Sequence, residues 1–169
     1  RRRIAMVSQE VHVFSGALRD DLSLALPGAS DEQLSAALDE VGAGEWLAAL
    51  PEGLDTIVGA QGMALTPVES QQLALARMVL LDPAVIIMGE ATAEAGSSGA
   101  AVLEEAAMEL ARGRTALIVA HRLDQAEAAD RVVVMGDGQI LEQGTHDELL
   151  ASGGSYCQLW QAWRRGRES

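Results

Sequence analysis

Apolar residues recur along this chain with two different periods. Between 30 and 81 the spacing is helical. Ser30-Asp31-Glu32-Gln33 reads as a capping box, and Leu34, Leu38 and Val41 follow on one face. Gly42 or Gly44 stops that helix. Residues 45–50 read as a second, short helix closed by Pro51-Glu52-Gly53, and 59–62 as loop. Thr66-Pro67-Val68-Glu69 repeats the start signal: Thr66 suits the N-cap, Pro67 the first helical position and Glu69 the third. Leu73, Ala76, Val79 and Leu80 mark one face of this helix, and Asp82-Pro83 ends it.

Beyond Pro83 the period changes. Residues 84–88 and 115–120 are continuous apolar runs of strand length, 131–135 is a third strand, and 3–7 is a short strand ending at Ser8-Gln9. Ser97 or Ser98 starts a long helix with Val102, Leu103, Ala106, Ala107 and Leu110 inward, and Gly113 ends it. A short helix covers 123–129. Gly136-Asp137-Gly138 turns into 139–143 as a hairpin. Thr145-His146-Asp147-Glu148 caps another helix, and 156–163 is the last. Strands apolar on both sides, alternating with helices, predict an α/β fold: a mainly parallel sheet with helices on both faces, plus a helical lobe. The expected divisions are 1–9 (strand and following loop), 10–81 (helical subdomain) and 82–169 (the rest of the α/β core and the C-terminal helices).

Charge narrows the chemistry. The chain has 169 residues, 25 acidic and 12 basic, for a net charge of −13, and every basic residue is arginine. Without lysine there is no Schiff-base chemistry, no Ser-Lys dyad and no G-x-x-x-x-G-K-S/T phosphate loop. The acidity argues against a nucleic-acid partner. Arg1, Arg2, Arg3 and Arg164, Arg165, Arg167 read as solvated tails, and His12 and His146 as surface residues. The lone Cys157 excludes an internal disulfide. No run reaches the roughly 18 apolar residues of a membrane span. The chain begins without methionine and is expected to be a piece of a longer polypeptide.

Several ordered landmarks then fall into one pattern. Val7-Ser8-Gln9-Glu10 is followed by Val13-Phe14-Ser15-Gly16 and Leu18-Arg19-Asp20-Asp21-Leu22. Next come Leu54-Asp55-Thr56-Ile57-Val58-Gly59 and Gln71-Gln72-Leu73-Ala74-Leu75-Ala76-Arg77. Ile86-Ile87-Met88-Gly89-Glu90-Ala91-Thr92, Val119-Ala120-His121-Arg122-Leu123 and Glu142-Gln143-Gly144-Thr145-His146-Asp147-Glu148 complete the series. In this order they resemble the nucleotide-binding domain of ABC transporters of the exporter type, a P-loop NTPase-like fold. The resemblance begins at the Q-loop, so the family's N-terminal strands and Walker A loop are expected to be missing. Without those strands, 84–88 and 115–120 are expected to lack neighbours and to recruit other chains.

The resemblance implies ATP and Mg²⁺ as cofactors of a full-length parent. It implies a second nucleotide-binding domain and a transmembrane domain as partners, at the cytoplasmic face of the membrane. It makes Glu90 the carboxylate that polarises the attacking water, His121 the switch histidine, and Gln9 the sensor of metal and γ-phosphate. Leu65, Thr66, Pro67, Val68 and Glu69 occupy the signature loop. The pattern is also broken. Gly89 stands where the family has the Walker B Asp, which leaves Gln9 as the remaining metal contact. Ala93-Glu94-Ala95-Gly96 replaces the following Asp-bearing loop. Pro67 has no N–H, Val68 is branched where backbone must approach phosphate, and Thr66 is free to cap its own helix. This chain alone is therefore expected neither to bind ATP tightly nor to hydrolyse it. Three functions stay open: an ATPase module coupled to transport, a non-catalytic half that docks on an active partner, and a chromosome-associated ABC-type ATPase.

Overall fold

The computed structural model describes residues 4–8, 11–89, 97–120 and 123–167. They form two compact units, Arg1–Val119 and Ala120–Ser169.

In the first unit, β1 (Ile4–Val7), β4 (Val85–Gly89) and β5 (Thr115–Val119) make a parallel three-stranded sheet in the order β1-β4-β5. The register pairs Val7 with Met88 and Gly89 with Val119, so the strands end nearly level. β2 (Gly16–Ala17) and β3 (Ile57–Val58) form a small antiparallel pair. Around these lie α1 (Leu18–Ser23), α2 (Asp31–Glu40), α3 (Gly44–Ala49), α4 (Pro67–Leu81) and α5 (Ser97–Ala111). One core joins the sheet to the helices: Val7, Ile86 and Met88 pack with Leu18, Leu22, Leu34, Leu38, Leu73, Leu75, Leu103 and Leu110.

Helices were expected on both faces of the sheet. Within this unit the described helices cover one face. Ala5, Val7, Ile86 and Met88 are buried, while Ile4 and Met6 on the other face of β1 are exposed. β5 is exposed along its whole length, with Leu117 60% accessible. Val102 was expected inward but is largely exposed. Val102 Cγ1 lies so close to Gly42 that a Cβ there would be only 3.2 Å away. The loop expected at 59–62 contains a single 3-10 turn, Gly59–Gln61.

The end of α2 is held by an amide that the periodicity alone presents as one more helix residue. Gly42 has φ +72°, Ala43 N–H donates to Leu38 O at 2.8 Å and Gly42 N–H to Asp39 O at 3.0 Å, which closes the helix. The buried Gln72 of α4 donates through Nε2 to Val41 O at 3.1 Å and Gly42 O at 2.9 Å, and accepts from the Trp46 indole at 3.0 Å. One side chain therefore satisfies two helix-end carbonyls and a tryptophan N–H. Gln72→Leu leaves all three without it. It is expected to cost about 2–4 kcal/mol in urea unfolding, and a loss below about 1 kcal/mol would contradict this account.

On the surface, Arg19 joins three elements. It meets Asp31 at 2.7 Å and Asp55 at 2.6 Å, and those bonds raise its pKa. Such an exposed network orients side chains more than it stabilises them.

In the second unit, α6 (Leu123–Glu127) precedes the hairpin of β6 (Val132–Gly136) and β7 (Gln139–Gly144). The strand predicted at 131–135 thus pairs with its own hairpin partner. Asp137 and Gly138 both have positive φ, 49° and 75°, as a two-residue turn of this hand requires. Then follow α7 (His146–Ser152) and α8 (Ser155–Arg167). His146, expected at the surface, is half-buried: Nδ1 is 2.8 Å from Tyr156 Oη, and its ring meets Trp160 edge-on at 4.6 Å. Glu142 caps α8 from outside, accepting N–H bonds from Ser155 and, at 3.2 Å, from Tyr156. Gly154 lets it approach, because a Cβ there would collide with the Glu142 carboxylate.

The Ser155 and Tyr156 N–H groups hold the Glu142 carboxyl below its ordinary pKa. A depressed carboxylate contributes stability above its unfolded pKa and loses it as pH falls through the folded one. The Ser155 and Tyr156 amides are therefore expected to lose exchange protection on acidification below about pH 4.3. In Glu142→Gln the protection should be weaker at neutral pH and this acid step absent. An unchanged step measured by amide-exchange NMR would refute the assignment.

Candidate nucleotide site

The parallel strands put three chain exits at one edge. In open α/β sheets that carboxyl edge is where ligands bind. Val7, Gly89 and Val119 are the last strand residues there. In sequence, Gln9 follows Val7 by two residues, Glu90 follows Gly89 directly, and His121 follows Val119 by two. Gln9, Glu90 and His121 lie outside the described residues, as does 93–96.

The loop before α4 is described throughout. Thr66 Oγ1 accepts from Glu69 N–H at 3.2 Å, and Thr66 N–H donates to Glu69 Oε2 at 2.7 Å. Both halves of a capping box are present, with Pro67 at the first helical position. The local sequence dictates this: a β-region threonine, a proline whose missing N–H costs nothing there, and a glutamate one turn along. Leu65 and Val68 are half-buried against the core. The first-turn donors are thus largely committed, since Glu69 N–H serves Thr66 and Pro67 has none. The negative end of Glu69 already occupies the positive pole of the helix.

Magnesium and a triphosphate need oxygen ligands and cations. The described residues fit them poorly. Among these residues no group of three or more His, Cys, Asp or Glu could hold a metal ion. Gly89 offers no ligand. It is also not required by the backbone, because a Cβ there would meet no atom within 4 Å. Gly62 differs, since a Cβ there would run into the Ile57 carbonyl. Gly89→Asp is accordingly expected to change stability by less than about 1 kcal/mol, whereas Gly62→Ala should cost roughly 2 kcal/mol or more. Denaturant midpoints check both, and a costly Gly89→Asp would mean that the strand end is closed to a carboxylate.

An ion pair to which the sequence gives no role joins α1 to α4. Asp21 on α1 is buried. Its Oδ2 accepts from Phe14 N–H at 2.8 Å, and its Oδ1 lies 3.3 Å from Arg77 Nε on α4. Burial raises the Asp21 pKa, opposed by the Phe14 N–H and by Arg77. Asp21 and Arg77 lie 56 positions apart in the chain, so neither spacing nor periodicity signals the pair.

The α/β unit with its parallel sheet is compatible with a P-loop NTPase-like fold. No family model matches the chain. Similarity to curated proteins covers nearly all of it. It is 40% identical over 162 residues to an ABC transporter ATP-binding protein of Bacillus subtilis, covering 96% of this chain and 28% of that protein. It is 44% identical over 165 residues to a multidrug efflux ATP-binding/permease protein of Mycobacterium tuberculosis, covering 98% of this chain and 14% of that protein. It is 40% identical over 162 residues to an ATP-dependent lipid A-core flippase of Acinetobacter baylyi, covering 95% of this chain and 28% of that protein. The chain thus spans less than a third of each of these relatives. These homologues support reading it as the ATP-binding domain of an ABC exporter. Among the described residues no helix is long and apolar enough to cross a membrane.

Proposed function

We propose that this chain is the part of an exporter-type ABC ATPase domain that runs from the Q-loop onward. In its full-length parent it would couple ATP binding and hydrolysis to transport. The observation that carries this reading is the 40–44% identity, over 95–98% of the chain, to ATP-binding proteins of ABC transporters. The partners are then a second nucleotide-binding domain and a transmembrane domain, at the cytoplasmic face of the membrane. Glu90, His121 and Gln9 keep their implied roles as base, switch and sensor.

By itself the chain neither binds MgATP tightly nor hydrolyses it. The absence of lysine, Gly89 at the strand end and the self-capped Thr66–Glu69 turn all support this. Titrating the chain with a fluorescent ATP analogue and Mg²⁺ is expected to give no saturation in the micromolar range, and micromolar binding would overturn the reading. A second reading, a degenerate half that docks on an active partner, draws support from the same closed turn and from Gly89. In the full-length parent, loss of ATPase activity on Glu90→Gln favours the first reading, and an unchanged rate the second.

A further inference from the structure

The pair of buried Asp21 and half-buried Arg77 does more than fill space. Arg77 uses its guanidinium in three ways. Nε faces Asp21 Oδ1 at 3.3 Å, Nη2 donates to the His12 carbonyl at 2.9 Å, and Cζ stands 5.8 Å from the centre of the Phe14 ring. The His12 ring packs edge-on against Phe14 at 4.7 Å. Asp21 then takes the Phe14 N–H through its other oxygen. The turn from His12 to Phe14 is thus gripped by its carbonyl, its amide and its aromatic face. Val11 and Val13 anchor the same segment to the core, whereas His12 and Phe14 are exposed and are held by these polar and ring contacts. The fork geometry is arginine's: a lysine could serve only one or two of these partners at a time.

We infer that Arg77, acting through Asp21, is a positioning residue that fixes the turn directly following Gln9 against the helix opened by Thr66. The inference rests on the reading above only for its consequence in the parent, where that turn adjoins a nucleotide sensor. The physical coupling belongs to this chain and is testable without nucleotide. Asp21 is buried and Arg77 half-buried, so removing Arg77 leaves the Asp21 carboxylate without its counter-ion. A buried pair is poor evidence for stability but good material for fixing one conformation, and that is the role assigned here.

The test is amide exchange on this chain. Arg77→Met is expected to accelerate exchange at Phe14 roughly ten- to a hundred-fold. Amides of the α4 interior, Leu73 to Ala76, and of the second unit's hairpin should stay within about three-fold of the parent sequence. Arg77→Lys should recover part of the protection. Asp21→Asn keeps an acceptor for Phe14 N–H and removes the counter-ion, so it provides a gentler second variant, with a smaller acceleration confined to the same turn. No acceleration at Phe14 in either variant, or equal acceleration throughout α4, overturns the inference. In the full-length parent Arg77→Met should raise KM for ATP more than it lowers kcat. If ATP and Mg²⁺ leave exchange at 11–16 unchanged in the wild-type parent, the nucleotide reading fails, while the exchange result on this chain still decides the role of Arg77.

Discussion

The level ending of three parallel strands is the constraint on which the rest of the first unit depends. Parallel pairing spaces its hydrogen bonds evenly and leaves no freedom to slip by one residue without turning every side chain over. Pairing Ile86 with both Ala5 and Ala116 therefore fixes which residues of β1 and β4 enter the core and which leave the sheet at its carboxyl edge. The buried set Val7, Ile86 and Met88 meets α4 and α5 because of that register. The same register delivers Gly89 and Val119 side by side. The strand exits that precede Gln9, Glu90 and His121 in sequence come to one edge through this backbone geometry.

On the reading proposed above, the local chemistry of the loop before α4 works against a nucleotide. A helix N-terminus is a natural anion site because its first N–H groups point outward without partners. Here Thr66 and Glu69 engage each other, proline removes a further donor, and a carboxylate sits at the pole where a phosphate would go. The chain as a whole carries a net charge of −13 and no lysine. A Cβ at Gly89 would meet no atom within 4 Å, so the strand does not itself require glycine there.

Much of this could be read before any coordinates. The capping boxes at Ser30, Thr66 and Thr145 are local, each built within four residues, and all three form as their spacing predicts. The Asp137-Gly138 turn is equally local. Apolar runs at 84–88 and 115–120 mark strands, but a run apolar on both faces does not say which face is covered. That depends on what packs there, and Leu117 remains exposed. Val102 and His146 mislead for the same reason. Helical phase placed Val102 inward, yet it stays 41% exposed even though its Cγ1 lies close against Gly42. Nothing local to His146 announces that Tyr156 and Trp160 close over it.

Residue order alone settled the kinds of element, their starts and stops, and the absence of a lysine-bearing phosphate loop, because each rests on contacts within a turn or on composition. Tertiary packing decided the rest: which sheet face is buried, how Gln72 ties off α2, and that Asp21 meets Arg77. These bring together groups separated by dozens of residues, and only the folded backbone sets their distance.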